Sequence, residues 1–281
     1  MTRNQLSLVI TLAVVVAGAA VLLPAVTDAQ TQSGVPVEYV EDSSGFETPT
    51  GSGWTAAQTA TFPLSGTGAD VPMANDVSIE EVQVEAVRTN ERIYLRTSWA
   101  DPTRDASDGS VRSFADQVAV QLPAAGENQP PIAMGSNETP VNIWSWSSSD
   151  GTEEIMAAGP GSSTPFAEQT LRTKHTYADG RWHVVFIRPL DPGGSIASSL
   201  NTETPPRTTI PTDTANLDVT FGVWNGSNME VSGRKSASHW HRLAVGSGPP
   251  GYERFLWVID GLAIVLTTLV TIEGIRRQGG E

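Results

Sequence analysis

The sequence predicts an all-β protein, an antiparallel β-sandwich, and three observations carry that prediction. Short runs alternate apolar and polar residues, Gly/Pro/Asp/Asn-rich turns separate them, and no amphipathic helical stretch of comparable strength lies between the two apolar ends of the chain. The first strong element is EVQVEAVRTNERIYLRTSWAD (81–101). Two alternating runs flank a Thr-Asn-Glu turn, and the second run sets Ile93, Leu95, Thr97 and Trp99 on one face, which reads as a hairpin. DQVAVQLP (116–123) aligns Val118, Val120 and Leu122, and PVNIWSWSSS (140–149) puts Trp144 and Trp146 on a common face. HTYADGRWHVVFIRPL (175–190) places Asp179 and Gly180 between apolar runs, the strongest short-range hairpin signal. LDVTFGVW (217–224) aligns Leu217, Val219, Phe221 and Val223, with Trp224 closing the run. Many short strands joined by turns of this kind pack as two antiparallel sheets face to face.

The ends of the chain read as membrane signals. LSLVITLAVVVAGAAVLLPA (6–25), behind Arg3 and ahead of a small, polar stretch, makes residues 1–29 a secretory signal or an N-terminal anchor. FLWVIDGLAIVLTTLVTIEGI (255–275) is long enough to cross a hydrocarbon layer of about 30 Å. Phe255 and Trp257 suit the interface, and Arg276 and Arg277 begin a cytoplasmic tail over 276–281. Arginines at both ends place the intervening domain outside the cytoplasm. Asp260, inside the second run, reads as lying near the headgroup level or against a partner helix. Residues 30–55, rich in Gly, Ser, Thr and Glu, read as a linker, and 56–247 as the sandwich domain.

The chain carries 31 acidic against 17 basic residues, a net charge of −14, which makes nucleic acid and anionic lipid poor partners. High acid, many small residues and only two lysines, Lys174 and Lys235, fit a protein kept soluble in concentrated salt, where screening weakens self-repulsion. Cysteine is absent, which excludes disulfides, thiolate metal sites, iron–sulfur clusters and covalently attached haem.

Most catalytic constellations are missing. No G-x-S-x-G elbow occurs, Glu153 and Glu154 adjoin in what reads as a loop, and His239 and His241 in HWH lack a further clustered ligand. Trp144, Trp146 and Trp224 are open to two readings, core bulk or an aromatic wall for a flat ligand. Met134 stands in a Pro/Gly/Asn-rich loop, QPPIAMGSNETPVNIW, and Lys235 in GRKSASHW, both outside any periodic core pattern.

The order FADQVAVQLP, PIAMGSNETPVNIWSW, DGRWHVVFIRPL and FGVWNGSNMEVSGRKSASHWHRL resembles the haem b-binding gamma subunits of the type II dimethyl sulfoxide reductase family, over about residues 75 to 245. That resemblance implies an immunoglobulin/DOMON-like β-sandwich with one non-covalent haem b, ligated by Met134 and Lys235. It implies an electron-transfer subunit with no turnover of its own, partnered by a molybdopterin catalytic subunit, an iron–sulfur subunit and a membrane cytochrome b. Trp144, Trp146 and Trp224 become candidates to flank the porphyrin, and Arg234 to meet a propionate or stay solvated. The C-terminal span departs from the mostly soluble members and looks like the membrane-anchored version that accompanies respiratory nitrate reductases of halophilic archaea. The rival expectation is a cell-surface β-sandwich, without haem, that binds carbohydrate or another ligand on its tryptophans.

The residue types suit iron. A thioether is soft and favours ferrous iron, while an amine ligates only when it has lost its proton. Arginine cannot lose its proton in a protein, so a chain that uses arginine almost everywhere must keep a lysine at an iron ligand.

Overall fold

In the computed structural model the residues described are 34–68, 70–124, 129–166, 168–192, 207–210 and 216–245. They form β1 (Gly34–Tyr39), β2 (Ala60–Pro63), β3 (Ser65–Gly66), β4 (Glu81–Arg88), β5 (Arg92–Ala100), β6 (Gln117–Pro123) and β7 (Val141–Ser147). There follow β8 (Gly151–Ala157), β9 (Ser163–Pro165), β10 (Arg172–Ala178), β11 (Arg181–Pro189), β12 (Leu217–Trp224), β13 (Ser236–Ala237) and β14 (His241–Ala244). Helical structure among the described residues is limited to 3-10 turns at Ser44–Phe46, Ser52–Thr55 and Gly226–Asn228. The all-β expectation holds.

Eleven of these strands run in one hydrogen-bonded path, β10-β11-β5-β4-β1-β14-β12-β6-β7-β8-β9, folded on itself into two leaves, while β2 pairs with β4, and β13 with β12 and β3. The fold-over happens at β1 and β14. The first half of β1 pairs with β14 and its second half with β4, while β14 also pairs with the start of β12. At the far edges the hydroxyls of Thr152 on β8 and Thr173 on β10 meet, so the leaves touch there as well.

The predicted faces turn inward. Ile93, Leu95, Thr97, Trp99, Val118, Val120 and Leu122 are all fully buried, as are Val219 and Val223, and they belong mainly to the core between the leaves. The Asp179-Gly180 hairpin forms with φ of 52° and 70° at the two residues, the left-handed pair that a type I′ turn needs.

Three expectations are corrected. From residue 34 on, the region read as a linker is built into the domain: β1 lies mid-sheet, and Phe46 and Trp54 pack with Val87, Tyr94, Val185 and Ile187 on the outer face of the first leaf. A polar composition hid two large apolar anchors and the alternating Val35 and Val37. The sheet is not wholly antiparallel, because β1 is parallel to both neighbours. Glu153 and Glu154 lie on β8 rather than in a loop, and alternation sends Glu154 into the interior, where it pairs with Arg188. No helix among the described residues is long and apolar enough to cross a membrane, and the runs 6–25 and 255–275 both fall outside those residues.

Candidate functional site

The second leaf has two different faces. Inward, Val118 stands opposite Trp146 and Val120 opposite Trp144, and these side chains fill the space between the leaves. Outward, Gly222 of β12 stands opposite Ala119 of β6, which stands opposite Ser145 of β7, a row of small residues across three strands. Beside that row Ala119, Val141, Ile143 and Ala157 make an apolar floor, and Met134, Ile155, Trp224 and Trp240 pack on it.

Met134 reaches this floor from a tightly held loop. Its own N–H donates to the Ile132 carbonyl and its carbonyl accepts from the Gly159 N–H, both at 2.9 Å. Gln121 holds the Ile132 carbonyl at 3.2 Å. Met134 has φ of 65°, a left-handed conformation that costs a non-glycine residue about 1 kcal/mol. Gly135 follows at φ 71°, where an added Cβ would stand 2.6 Å from the Thr139 carbonyl oxygen. The surrounding hydrogen bonds, not local preference, fix the thioether in place.

Lys235 arrives from the other side, on the segment leading into β13, which pairs with Gly222 and Val223. Its Nζ lies 5.1 Å from the centre of the Trp224 ring and donates to the Ser232 carbonyl at 3.2 Å. The Trp224 indole N–H donates to that same carbonyl at 3.1 Å, which orients the ring under the amine. Among the described residues no carboxylate forms an ion pair with Lys235, and burial pushes its ammonium below the ordinary lysine value. An added Cβ on Gly222 would touch the Lys235 stem at 3.4 Å and the Trp224 ring at 3.5 Å, so the glycine leaves room beside both.

The structure therefore brings Met134, Lys235 and Trp224 to one outward face and leaves the other sequence candidates elsewhere. Trp144 and Trp146 face the opposite way, into the core, with exposures of 0% and 2%. Trp146 packs edge-on against Trp182 at 4.9 Å. They are bulk, and they present no wall to a ligand on the outer face. Arg234 is neither solvated nor free, because it pairs with Asp76 at 3.1 Å and also donates to the Asp76 carbonyl. That pair fixes the loop that carries Lys235. His241 stacks on Phe62 at 4.0 Å and His239 is exposed.

Sequence reading missed Trp240. It alternates with His241, so once the histidine faces Phe62 the tryptophan must face the outer floor, and its indole N–H donates to the Pro130 carbonyl at 3.0 Å. The HWH spacing held that signal, but attention to the two histidines hid it. Gly222 was likewise invisible as a space-maker, since its role depends on what crosses it.

The donor set fits a haem. It comprises one thioether and one amine without a carboxylate partner, over an apolar floor with a glycine gap. Comparison with known proteins is decisive. Over 260 residues the chain is 40% identical to a Haloferax mediterranei protein provisionally named respiratory nitrate reductase heme subunit ORF7, covering 92% of this chain and 90% of that one. The chain belongs to the haem gamma-subunit family of the type II dimethyl sulfoxide reductase enzymes.

Other gamma subunits agree. The gamma subunit of dimethylsulfide dehydrogenase from Rhodovulum sulfidophilum is 35% identical over 167 residues, 57% of this chain and 58% of that protein. The gamma subunit of chlorate reductase from Ideonella dechloratans is 28% identical over 174 residues, 62% and 68% of the two chains. The ethylbenzene dehydrogenase family profile matches residues 51–168, a stretch that includes Met134 and stops short of Lys235.

Proposed function

We propose that this chain is a haem b electron-transfer subunit, without turnover of its own, in a molybdopterin oxidoreductase complex whose terminal substrate is nitrate. The convergence of Met134 and Lys235 on one apolar outer face carries the reading, and the names of the gamma-subunit relatives support it.

Met134 and Lys235 are the residues that would hold the group, and one-electron transfer is the chemistry a haem supplies there. Met134 contributes a soft sulfur that favours the reduced metal. Lys235 would contribute an amine; burial lowers its ammonium below the ordinary lysine value, the direction that a ligand, which must be neutral, requires. Trp224 and Trp240 shelter the floor from water, and the Arg234–Asp76 pair holds the lysine loop in register.

The assembly proposed is a catalytic molybdopterin subunit, an iron–sulfur subunit and a membrane cytochrome b that delivers electrons from quinol. The domain lies on the extracytoplasmic side of the cell membrane, held in the lipid bilayer by the span at 255–275 and, if it is not cleaved, by the run at 6–25. The acidic, lysine-poor composition supports a source rich in salt.

Visible spectroscopy of the purified full chain tests the reading. The expected spectrum is low-spin and six-coordinate, with one non-covalent haem b per chain. Lys235→Arg and Met134→Ala should abolish it or convert it to a high-spin form, while His239→Ala and His241→Ala should leave it unchanged. A colourless chain that takes up no haemin, or loss of the spectrum only in the histidine variants, overturns it.

A further inference from the structure

On the far side of the second leaf, away from the outer floor, three carboxylates converge. Asp101 follows β5 directly, Asp105 lies on the loop after it, and Asp116 precedes β6. One carboxylate oxygen from each lies within 4.8 Å of the others. Asp101 and Asp116 have no exposed surface and Asp105 is half-buried. Among the described residues none of the three forms an ion pair, and the cation of the same loop, Arg104, stands over the Trp182 ring instead.

The hydrogen-bond donors around the cluster do not satisfy it. Asp116 is well served. Its Oδ1 accepts from the Gly226 N–H at 2.9 Å, and its Oδ2 from the Asp105 N–H at 2.6 Å and the Trp182 indole N–H at 3.0 Å. Asp101 is not. Its Oδ1 accepts from the Thr103 N–H, but its Oδ2 is fully buried and, among the described residues, has no hydrogen-bond partner. The Thr103 hydroxyl sits 3.1 Å from Asp101 Oδ1 and 2.5 Å from Asp105 Oδ2, yet it has one hydrogen and can donate to only one of them. A buried carboxylate oxygen with no donor costs several kcal/mol unless a positive charge meets it.

We propose that Asp101, Asp105 and Asp116 hold a calcium ion, with the Thr103 hydroxyl beside it as a further oxygen. The three carboxylates offer oxygen and no nitrogen or sulfur, which selects a hard cation over zinc or copper. Calcium binds oxygen at about 2.4 Å, so two of its ligands lie no more than about 4.8 Å apart, which the cluster satisfies. Magnesium is smaller and keeps several of its waters, which suits a largely buried cluster of protein oxygens poorly.

The position gives the ion a task. Asp101 directly follows β5 and Trp182 belongs to β11, so both are carried by the first leaf. Asp116 immediately precedes β6, and Gly226, just beyond β12, brings in the second leaf. An ion at the cluster staples the ends of the two leaves together at one corner of the sandwich. Gly226 fits this corner because any Cβ there would stand 2.2 Å from the Phe114 carbonyl oxygen and 2.7 Å from the Asp105 Cβ. The proposal does not depend on the haem assignment.

Calcium chloride titrated by calorimetry into the chelator-washed full chain is the test. One equivalent should bind and the melting temperature should rise. Terbium in its place should emit on tryptophan excitation, since Trp182 touches the Asp116 carboxylate. Asp105→Asn, at the half-buried position, should keep the fold and weaken calcium binding at least ten-fold; Asp101→Asn should abolish it. A chain that takes up no stoichiometric calcium, or an Asp105→Asn protein that binds as tightly as the parent, overturns the site. A melting temperature that responds to pH and not to calcium would assign the cluster a shared proton and overturn it equally.

Discussion

Arg188 on β11 donates through Nε to Glu154 Oε1 on β8 at 2.9 Å, and neither side chain has any exposure to solvent. The pair joins the two leaves from inside. Arg188 also donates to the Thr208 carbonyl at 2.7 Å and to Asn142 Oδ1 at 3.3 Å, and stands over the Trp144 ring. Burial pushes the Arg188 guanidinium down to about 10, with Glu154 working against the shift. Removing one partner strands the other. Glu154→Gln should therefore cost about 3–5 kcal/mol, whereas Glu154→Met combined with Arg188→Met should cost far less. Urea unfolding of the two variants beside the parent measures the difference, and a double variant that costs as much as Glu154→Gln or more would refute the pairing.

The tryptophans divide by face, and substitution should divide them the same way. Trp144→Ala empties a core position and should cost about 3–5 kcal/mol. Trp224→Ala, at a half-buried outer position, should cost about 1 kcal/mol and lower haem retention more than it lowers stability. Unfolding and haem titration on both variants give the comparison. Equal loss of haem at equal stability in both would contradict the two-faced leaf.

Acid should weaken the fold through its histidines. Burial first, then nearby positive charge, pulls His175 and His183 below the ordinary imidazole value, and burial then His239 do the same to His241. A folded-state value below the unfolded one means the unfolded chain takes up protons first. The stability these neutral rings contribute is complete above about pH 6.5 and is lost as pH falls through their folded-state values. Denaturant midpoints between about pH 7 and about pH 5 should fall, with a shallower slope in His183→Gln, whose ring contacts the Ser98 hydroxyl at 2.8 Å. An unchanged slope in that variant would remove His183 from the account.

Much of the fold was legible because a strand writes its buried face into the sequence with a period of two. Val118, Val120 and Leu122 could be assigned to one face without knowing what they touch. Alternation also paired Trp144 with Trp146, but it cannot say which face of a sheet is the core, and both went inward. The linker reading failed for a related reason. Composition averages over a segment, and two aromatic anchors in a polar run are enough to bind it to the outside of a sheet.

Only the resemblance to the gamma subunits singled out Met134 and Lys235; by itself, the sequence determined the strand pattern, the hairpin at Asp179-Gly180 and the absence of thiolate chemistry. Those are properties of single residues and of their immediate neighbours. Only the tertiary structure decided that Met134 and Lys235, a hundred positions apart, share an outer face, that Arg234 is spent on Asp76, and that three aspartates meet at a corner of the sandwich. Such meetings depend on which strands pair and how the sheet folds over, and long-range pairing is settled by the packing of the whole chain.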